Sequence, residues 1–319
     1  MTSKNILDII GSESFPQSAI ERLSESFQVT QFKSADEISL RTSTHIWVDL
    51  SINVDNKLLE KYPLATHVLC RATATTNISE EVISRGIQIL SLKEHKSFLS
   101  RIPSTAELAW FLVQTSNVPL LDLQDQIAAG TWDRSRLLRN QLRGKKVGII
   151  GMGRLGKIVA KYAEAFEMNI SYAELNTYKS TSKYLRTSIS DLCEQSNFII
   201  ITASISERSE TLLDEEMLRK CNPNLRIINV SRGRLVDESF LIQQLTDRKI
   251  AFYATDTCRF EEFGATEEDW ANFKKFASMR NVFLTPHIGG YSVEAIDETT
   301  HHLIDYLFER ICECIVPVK

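Results

Sequence analysis

The chain has 319 residues, 43% of them hydrophobic and 24% charged, with a formal net charge of −4. That length is too great for one ordinary core and suits two domains. The balanced composition excludes a fibrous or disordered chain, and the slight acidity argues against nucleic acid as a partner. The six cysteines show no zinc-like spacing, so no metal site is expected, and free thiols in a reducing cytoplasm are the natural reading. The start, MTSKNILDII, lacks the build of a secretory signal, and no apolar run approaches the ~18–20 residues that span a bilayer. A soluble, cytoplasmic protein without a membrane partner is expected.

Residues 1 to about 104 read as a small α/β domain. AIERLSESF (19–27) has helical character, and WVDL (47–50), HVLC (67–70) and IQIL (87–90) look like strands. TAELAWFLVQTSN (105–117) predicts a helix leading into a second zone. There, short apolar runs recur: VGII (147–150), ISYA (170–173), FIII (198–201), RIINV (226–230), FYAT (252–255) and VFLT (282–285). Brief, mostly β-branched or aromatic runs between polar stretches mark strands buried on both faces of a parallel sheet. The first intervening helix carries an apolar stripe of Leu155, Ile158, Val159, Tyr162, Ala163 and Phe166. The alternation implies a doubly wound α/β sheet. Residues 292–311 predict a long amphipathic helix, capped by Ser292, with Ile296, Thr300, Leu303, Leu307 and Ile311 on its buried face. It is expected to pack back on the first domain, making that domain discontinuous.

KKVGIIGMGRLGK places Gly151, Gly153 and Gly156 between an apolar strand and a periodic helix. In this setting the first glycine permits a tight turn and the second lets backbone approach a pyrophosphate. The third lets helix and strand pack closely. Glu174 ends the next strand, about 20 residues on, where an acid accepts hydrogen bonds from ribose hydroxyls and repels a 2′-phosphate. The motif points to a dinucleotide, and Glu174 favours NAD over NADP, a preference that nearby Lys179 softens.

In such a sheet, ligands bind beyond the carboxyl ends of the strands. Ser231, Arg232 and Gly233 follow RIINV, Asp256 and Glu261 follow FYAT, and Pro286 and His287 follow VFLT. An arginine, two acids and an imidazole therefore leave the edge that carries the glycine loop. The arginine fork suits a carboxylate and its adjacent carbonyl, and the imidazole suits a general acid. Glu261 suits a partner that orients the imidazole and raises its pKa, and Asp256 a group binding a nicotinamide carboxamide. Taken singly, each is more often a surface charge, a cap or a structural histidine; their convergence carries the reading.

INVSRGRLVDESFL (228–241), ATDTCRFE (254–261) and NVFLTPHIGGYSVEA (281–295) together resemble the D-2-hydroxyacid dehydrogenase family, which includes phosphoglycerate, glycerate and D-lactate dehydrogenases. LRGKKVGIIGMGRLGK (142–157), IPSTAELAW (102–110) and AAGTWDR (128–134) are similar to further family segments. The resemblance runs from about 66 to 310. It implies two Rossmann-like, doubly wound parallel-sheet domains with a cleft between them: a substrate domain of 1–104 plus 293–319, and an NAD-binding domain of 105–292. It implies Arg232, Glu261 and His287 as the catalytic set. Candidate cofactor residues are Gly151, Gly153, Arg154, Leu155, Gly156, Glu174, Thr105, Ser231, Asp256 and Gly289. Candidate substrate residues are Arg232 with Ala72, Thr73 and Ala74 of a first-domain loop. The expected activity is interconversion of a small 2-oxo acid and its D-2-hydroxy acid with NAD, by a homodimer formed through the nucleotide domain.

The chain departs from the family pattern in three places. Ala72 and Ala74 stand where relatives usually have glycines, implying a different loop backbone or a tighter pocket. Thr202-Ala203-Ser204 stands where relatives often have His-x-Pro, and extra acidic and aromatic sequence, including Trp270 and Phe273, lies between Glu261 and Asn281. Two other readings compete: a non-catalytic, NAD(H)-sensing protein that binds partners on the same fold, and a relative specialised for formate or phosphite oxidation.

Overall fold

The computed structural model describes residues 4–11, 14–73, 75, 77–135, 138–174, 182–204, 211–262 and 264–315. Lys179 and the substrate-loop candidate Ala74 lie outside the described residues. The chain divides into two compact units, 1–102 with 291–319, and 103–290.

The first unit carries β1 (Asn5–Ile10), α1 (Gln17–Ser24), β2 (Phe27–Phe32), β3 (His45–Val48), α2 (Asn56–Glu60) and β4 (His67–Cys70). It continues with α3 (Glu80–Ser84), β5 (Gln88–Ser91) and α4 (Lys96–Leu99). The strands form one parallel sheet in the order β2-β1-β3-β4-β5. Phe27, expected within a helix, instead opens β2 and pairs with Asn5. Its ring is buried against His45 and Phe308, so tertiary burial overrides the helical spacing of 19–27. The run WVDL becomes strand only up to Val48, because the Asp49 carboxylate accepts the Ser51 N–H in a tight turn.

The second unit begins with α5 (Ser104–Ser116) and α6 (Leu120–Ala128). Then follow β6 (Lys146–Ile150), α7 (Arg154–Ala165), β7 (Asn169–Ala173), β8 (Leu185–Arg186), α8 (Ile189–Gln195) and β9 (Phe198–Ile201). Next come α9 (Glu215–Arg219), β10 (Arg226–Asn229), α10 (Glu238–Thr246), β11 (Phe252–Thr255), α11 (Glu267–Ala277) and β12 (Val282–Leu284). All pairings are parallel, in the order β12-β11-β10-β9-β6-β7-β8. Adjacent residues of β9 serve opposite cores: Phe198 and Ile200 join one cluster, Ile199 and Ile201 the other. This is why the strand is apolar without alternation. The extra sequence after Glu261 forms α11, which begins with a Thr266/Asp269 capping box and sets Phe276 against Tyr253.

The last helix, α12 (Val293–Ile315), returns to the first unit. Ser292 Oγ accepts the Ala295 N–H at 3.1 Å, and Leu303, Ile304 and Leu307 are fully buried beside Leu7, Leu23 and Leu69. Among the described residues no helix is long and apolar enough to cross a membrane.

Candidate active site

Strand register across the second sheet aligns Ala173, Ile150, Ile201, Asn229, Thr255 and Leu284 in one row. The residues just past that row, including Glu174, Gly151, Thr202, Asp256 and Thr285, therefore share one edge. The strand order reverses between β6 and β9, which is where such sheets bind nucleotides.

The glycine loop fits a pyrophosphate. Gly151 has φ +96°, and a Cβ there would lie 2.6 Å from Ala203 Cα. At Gly156 a Cβ would lie 2.2 Å from the Gly151 carbonyl oxygen. Both positions exclude side chains. At Gly153, by contrast, a Cβ would meet nothing within 4 Å, and Gly153 caps α7 without a side-chain hydrogen bond. The backbone is thus bare where a phosphate approaches the positive end of a helix. Arg154 and Leu155 open that helix, and burial lowers the Arg154 pKa. Glu174 is half-buried directly after β7. Thr202 Oγ1 donates to the Gly151 carbonyl at 2.8 Å, and Ser231 Oγ donates to the Ala203 carbonyl, joining the turns after β6, β9 and β10.

His287 sits in a backbone conformation that side chains rarely adopt, with φ +54°. Asp256 holds it there. Its Oδ1 accepts the Thr285 hydroxyl at 2.6 Å and the Ile288 N–H at 2.8 Å, and its Oδ2 accepts the Gly289 N–H at 2.8 Å. The His287 N–H donates to the Asp256 and Thr285 carbonyls. Ser104 Oγ donates to the Gly289 carbonyl at 2.7 Å, and Gly289 packs so closely on Asp256 and Thr105 that a Cβ would lie 2.9 Å from Oδ2. Asp256 is 1% exposed, and burial raises its pKa against the lowering pull of those hydrogen bonds. Its oxygens face the His287 turn, as the turn-cap alternative for Asp256 has it, while the parts played by Ser104 and Thr285 are ones the sequence reading misses.

His287 Nδ1 and Glu261 Oε2 are 3.0 Å apart. Glu261 is itself steadied by accepting the Cys258 N–H at 3.1 Å. A hydrogen bond to the carboxylate assigns the Nδ1 proton and leaves Nε2 for chemistry. Burial opposes the imidazolium, but the hydrogen bond and charge of Glu261 outweigh it, and the His287 pKa is raised.

Arg232 leaves the end of β10 in a turn organised by Asn229, whose side chain donates to the Arg232 carbonyl at 2.9 Å and accepts the Ser231 N–H at 3.0 Å. The Arg232 Nη1 donates to the Ser231 carbonyl, while its buried Nε has no hydrogen-bond partner among the described residues. Burial lowers the pKa of this guanidinium, countered by the charges of Glu262 and Glu261. A desolvated cation with a spare donor suits an anionic ligand.

In the first unit, Ala72 is buried in that unit's core and its carbonyl accepts the Leu92 N–H, whereas Thr73 is exposed. No metal-binding group of His, Cys, Asp and Glu occurs among the described residues.

Comparison with known proteins agrees with this geometry. Residues 112–289 match the family model described as D-isomer specific 2-hydroxyacid dehydrogenase, NAD binding domain. The chain is 27% identical over 296 residues to the glyoxylate reductase of Thermococcus kodakarensis, covering 87% of this chain and 85% of that one. It is 30% identical over 253 residues to the glyoxylate reductase of Thermococcus litoralis, covering 76% and 72%. The D-lactate dehydrogenase of Aquifex aeolicus, solved with NAD and lactic acid, has the same fold, with TM-score 0.79, 20% identity, and 97% and 96% coverage. A doubly wound sheet, a bare glycine loop and a matched family model over more than half the chain lead to one conclusion: the chain belongs to the D-isomer-specific 2-hydroxyacid dehydrogenase family and carries its NAD-binding domain.

Proposed function

We propose that the protein reduces a small 2-oxo acid to the D-2-hydroxy acid, or runs the reverse reaction, with Arg232, Glu261 and His287 as its working residues. The observation that carries this is the His287–Glu261 pair beside a half-buried arginine whose buried Nε is a spare donor among the described residues. Bound NADH supplies the hydride. Arg232 binds the substrate carboxylate and polarises the adjacent carbonyl. His287, kept protonated by Glu261, donates a proton from Nε2 to the carbonyl oxygen, and takes it back in oxidation. Asp256 sets the His287 turn and borders the nicotinamide carboxamide together with Thr105 and Gly289. Gly151, Gly153, Arg154, Leu155 and Gly156 cradle the pyrophosphate, with Ser231 at its side. Glu174 holds the ribose hydroxyls and favours NAD. Ala72, Thr73 and Ala74 contribute to substrate recognition.

The substrate class fits glyoxylate or hydroxypyruvate, after which relatives are named. NADH oxidation against a panel of 2-oxo acids, with NADPH in parallel, tests the reading. Turnover lost in His287→Ala supports it. Tight NADH binding with no turnover on any oxo acid rejects it in favour of the sensing reading.

A homodimer through the nucleotide-binding unit fits the apolar side chains exposed there: Trp132 at 92%, Leu138 at 87%, and Phe111 and Ile127 at 48% each. Sedimentation of wild type and Trp132→Glu tests it. A cytoplasmic location fits the free thiols of Cys70, Cys193, Cys221 and Cys258.

A further inference from the structure

Glu261 and Glu262 are adjacent, and their surroundings differ sharply. The Glu262 side chain is 6% exposed, and it lies between two half-buried arginines. Its Oε1 accepts the Arg234 backbone N–H at 3.0 Å. Its Oε2 lies 3.2 Å from Arg234 Nε and 3.7 Å from Arg259 Nη1. Arg234 is two residues from Arg232, and Arg259 is two residues from Glu261. The backbones of these two turns also touch, since a Cβ on Gly233 would lie 2.1 Å from Arg259 N. From behind, Glu238 Oε1 accepts the Arg259 N–H at 2.9 Å.

We propose that Glu262 is a positioning residue of this site: its carboxylate ties the turn bearing Arg232 to the turn bearing Glu261. The anion grip and the support of the proton donor are then set by one buried group. A carboxylate taken out of water needs such partners, and here it has a backbone donor and two guanidinium groups. Its charge also supports the Arg232 cation, ahead of Glu261 in size. Around it stand Arg232, Arg234, Arg259, Glu238 and Glu261. Glu238 is pushed up to about 7, chiefly by burial, with the charge of Glu262 adding to the effect.

This role rests on the proposed reaction, so the test has two independent readouts on the full chain. One is the titration of the His287 imidazole by NMR; the other is KM against kcat for the preferred oxo acid. In Glu262→Ala, KM should rise about tenfold or more as Arg232 loses its place, NADH affinity should hold, and the His287 midpoint should fall. Glu262→Gln keeps an acceptor for the Arg234 N–H and should show the same changes at smaller size. It also decides the matter if the alanine variant does not fold. An unmoved His287 midpoint with unchanged KM overturns the role. If wild type reduces no oxo acid, the reaction assignment falls, and the His287 titration alone still decides whether Glu262 positions the pair.

Discussion

Two aspartates, one in each unit, are buried to 0% and 1% exposure and are put to different ends. Asp8 lies in the middle of β1, where its backbone is committed to the sheet. It is satisfied by side chains: Arg41 Nε at 2.9 Å, Arg41 Nη2 at 3.1 Å and the Tyr62 hydroxyl at 3.1 Å. Burial and the nearby Asp8 raise the Tyr62 pKa, so the phenol stays a donor. Asp256 lies one residue beyond β11, where the next turn offers free backbone N–H groups, and it takes two of them with the Thr285 hydroxyl. A buried carboxylate within a strand must recruit a counter-charge and serves stability. One at a strand end can hold a turn in an unusual conformation and so serve a site.

The most severe test of this contrast is at the residue that Asp256 presents. His287→Ala should cut reduction by about 10²–10⁴-fold with NADH binding kept; stopped-flow reduction and fluorescence titration measure the two. Asp8→Ala should cost about 3–5 kcal/mol of stability in chemical denaturation, because it strands a partly buried guanidinium, and leave kcat of the folded protein near wild type. Loss of turnover without loss of stability would break the contrast. Asp256→Asn should act mainly on turnover, which falls about tenfold or more as the turn loses an acceptor, with a smaller stability loss of about 1–3 kcal/mol.

The pH profile sharpens the contrast further. Because the His287 pKa is raised above its ordinary 6.5, reduction should be level on the acid side and decline only above that value. Glu261→Gln should move the midpoint down. The same pairing contributes stability that is fully present below the unfolded-state pKa and is lost as pH rises through the raised one. A midpoint at or below 6.5 in wild type would contradict the Glu261 contact. The smallest expected effect is Ser104→Ala, about 1 kcal/mol, since a single hydrogen bond to the Gly289 carbonyl is removed.

Much of the second unit was legible in the sequence because its strands are buried on both faces. Runs such as FIII and FYAT announce themselves by composition, and β9 and β11 coincide with them. The first unit was harder to read. Asp8 interrupts the apolar run of β1, and FQVTQF alternates only weakly along the edge strand β2. Likewise, Arg232, Glu261 and His287 stood out because each follows a strand. The burial of Glu262 could not be read in the same way, since nothing in a Glu-Glu pair says which acid is buried.

The sequence by itself determined the class of fold, the dinucleotide loop and the family, because each depends on local order: strand, glycine spacing, helix, then charged residues at successive strand ends. Tertiary structure alone decided which polar groups meet. The His287 turn is set by a carboxylate 31 residues earlier in the chain than His287 itself, and the Arg232 turn is tied to an acid on the next strand's loop. Such pairings arise from parallel register across a sheet, which brings strand ends together regardless of their distance in sequence.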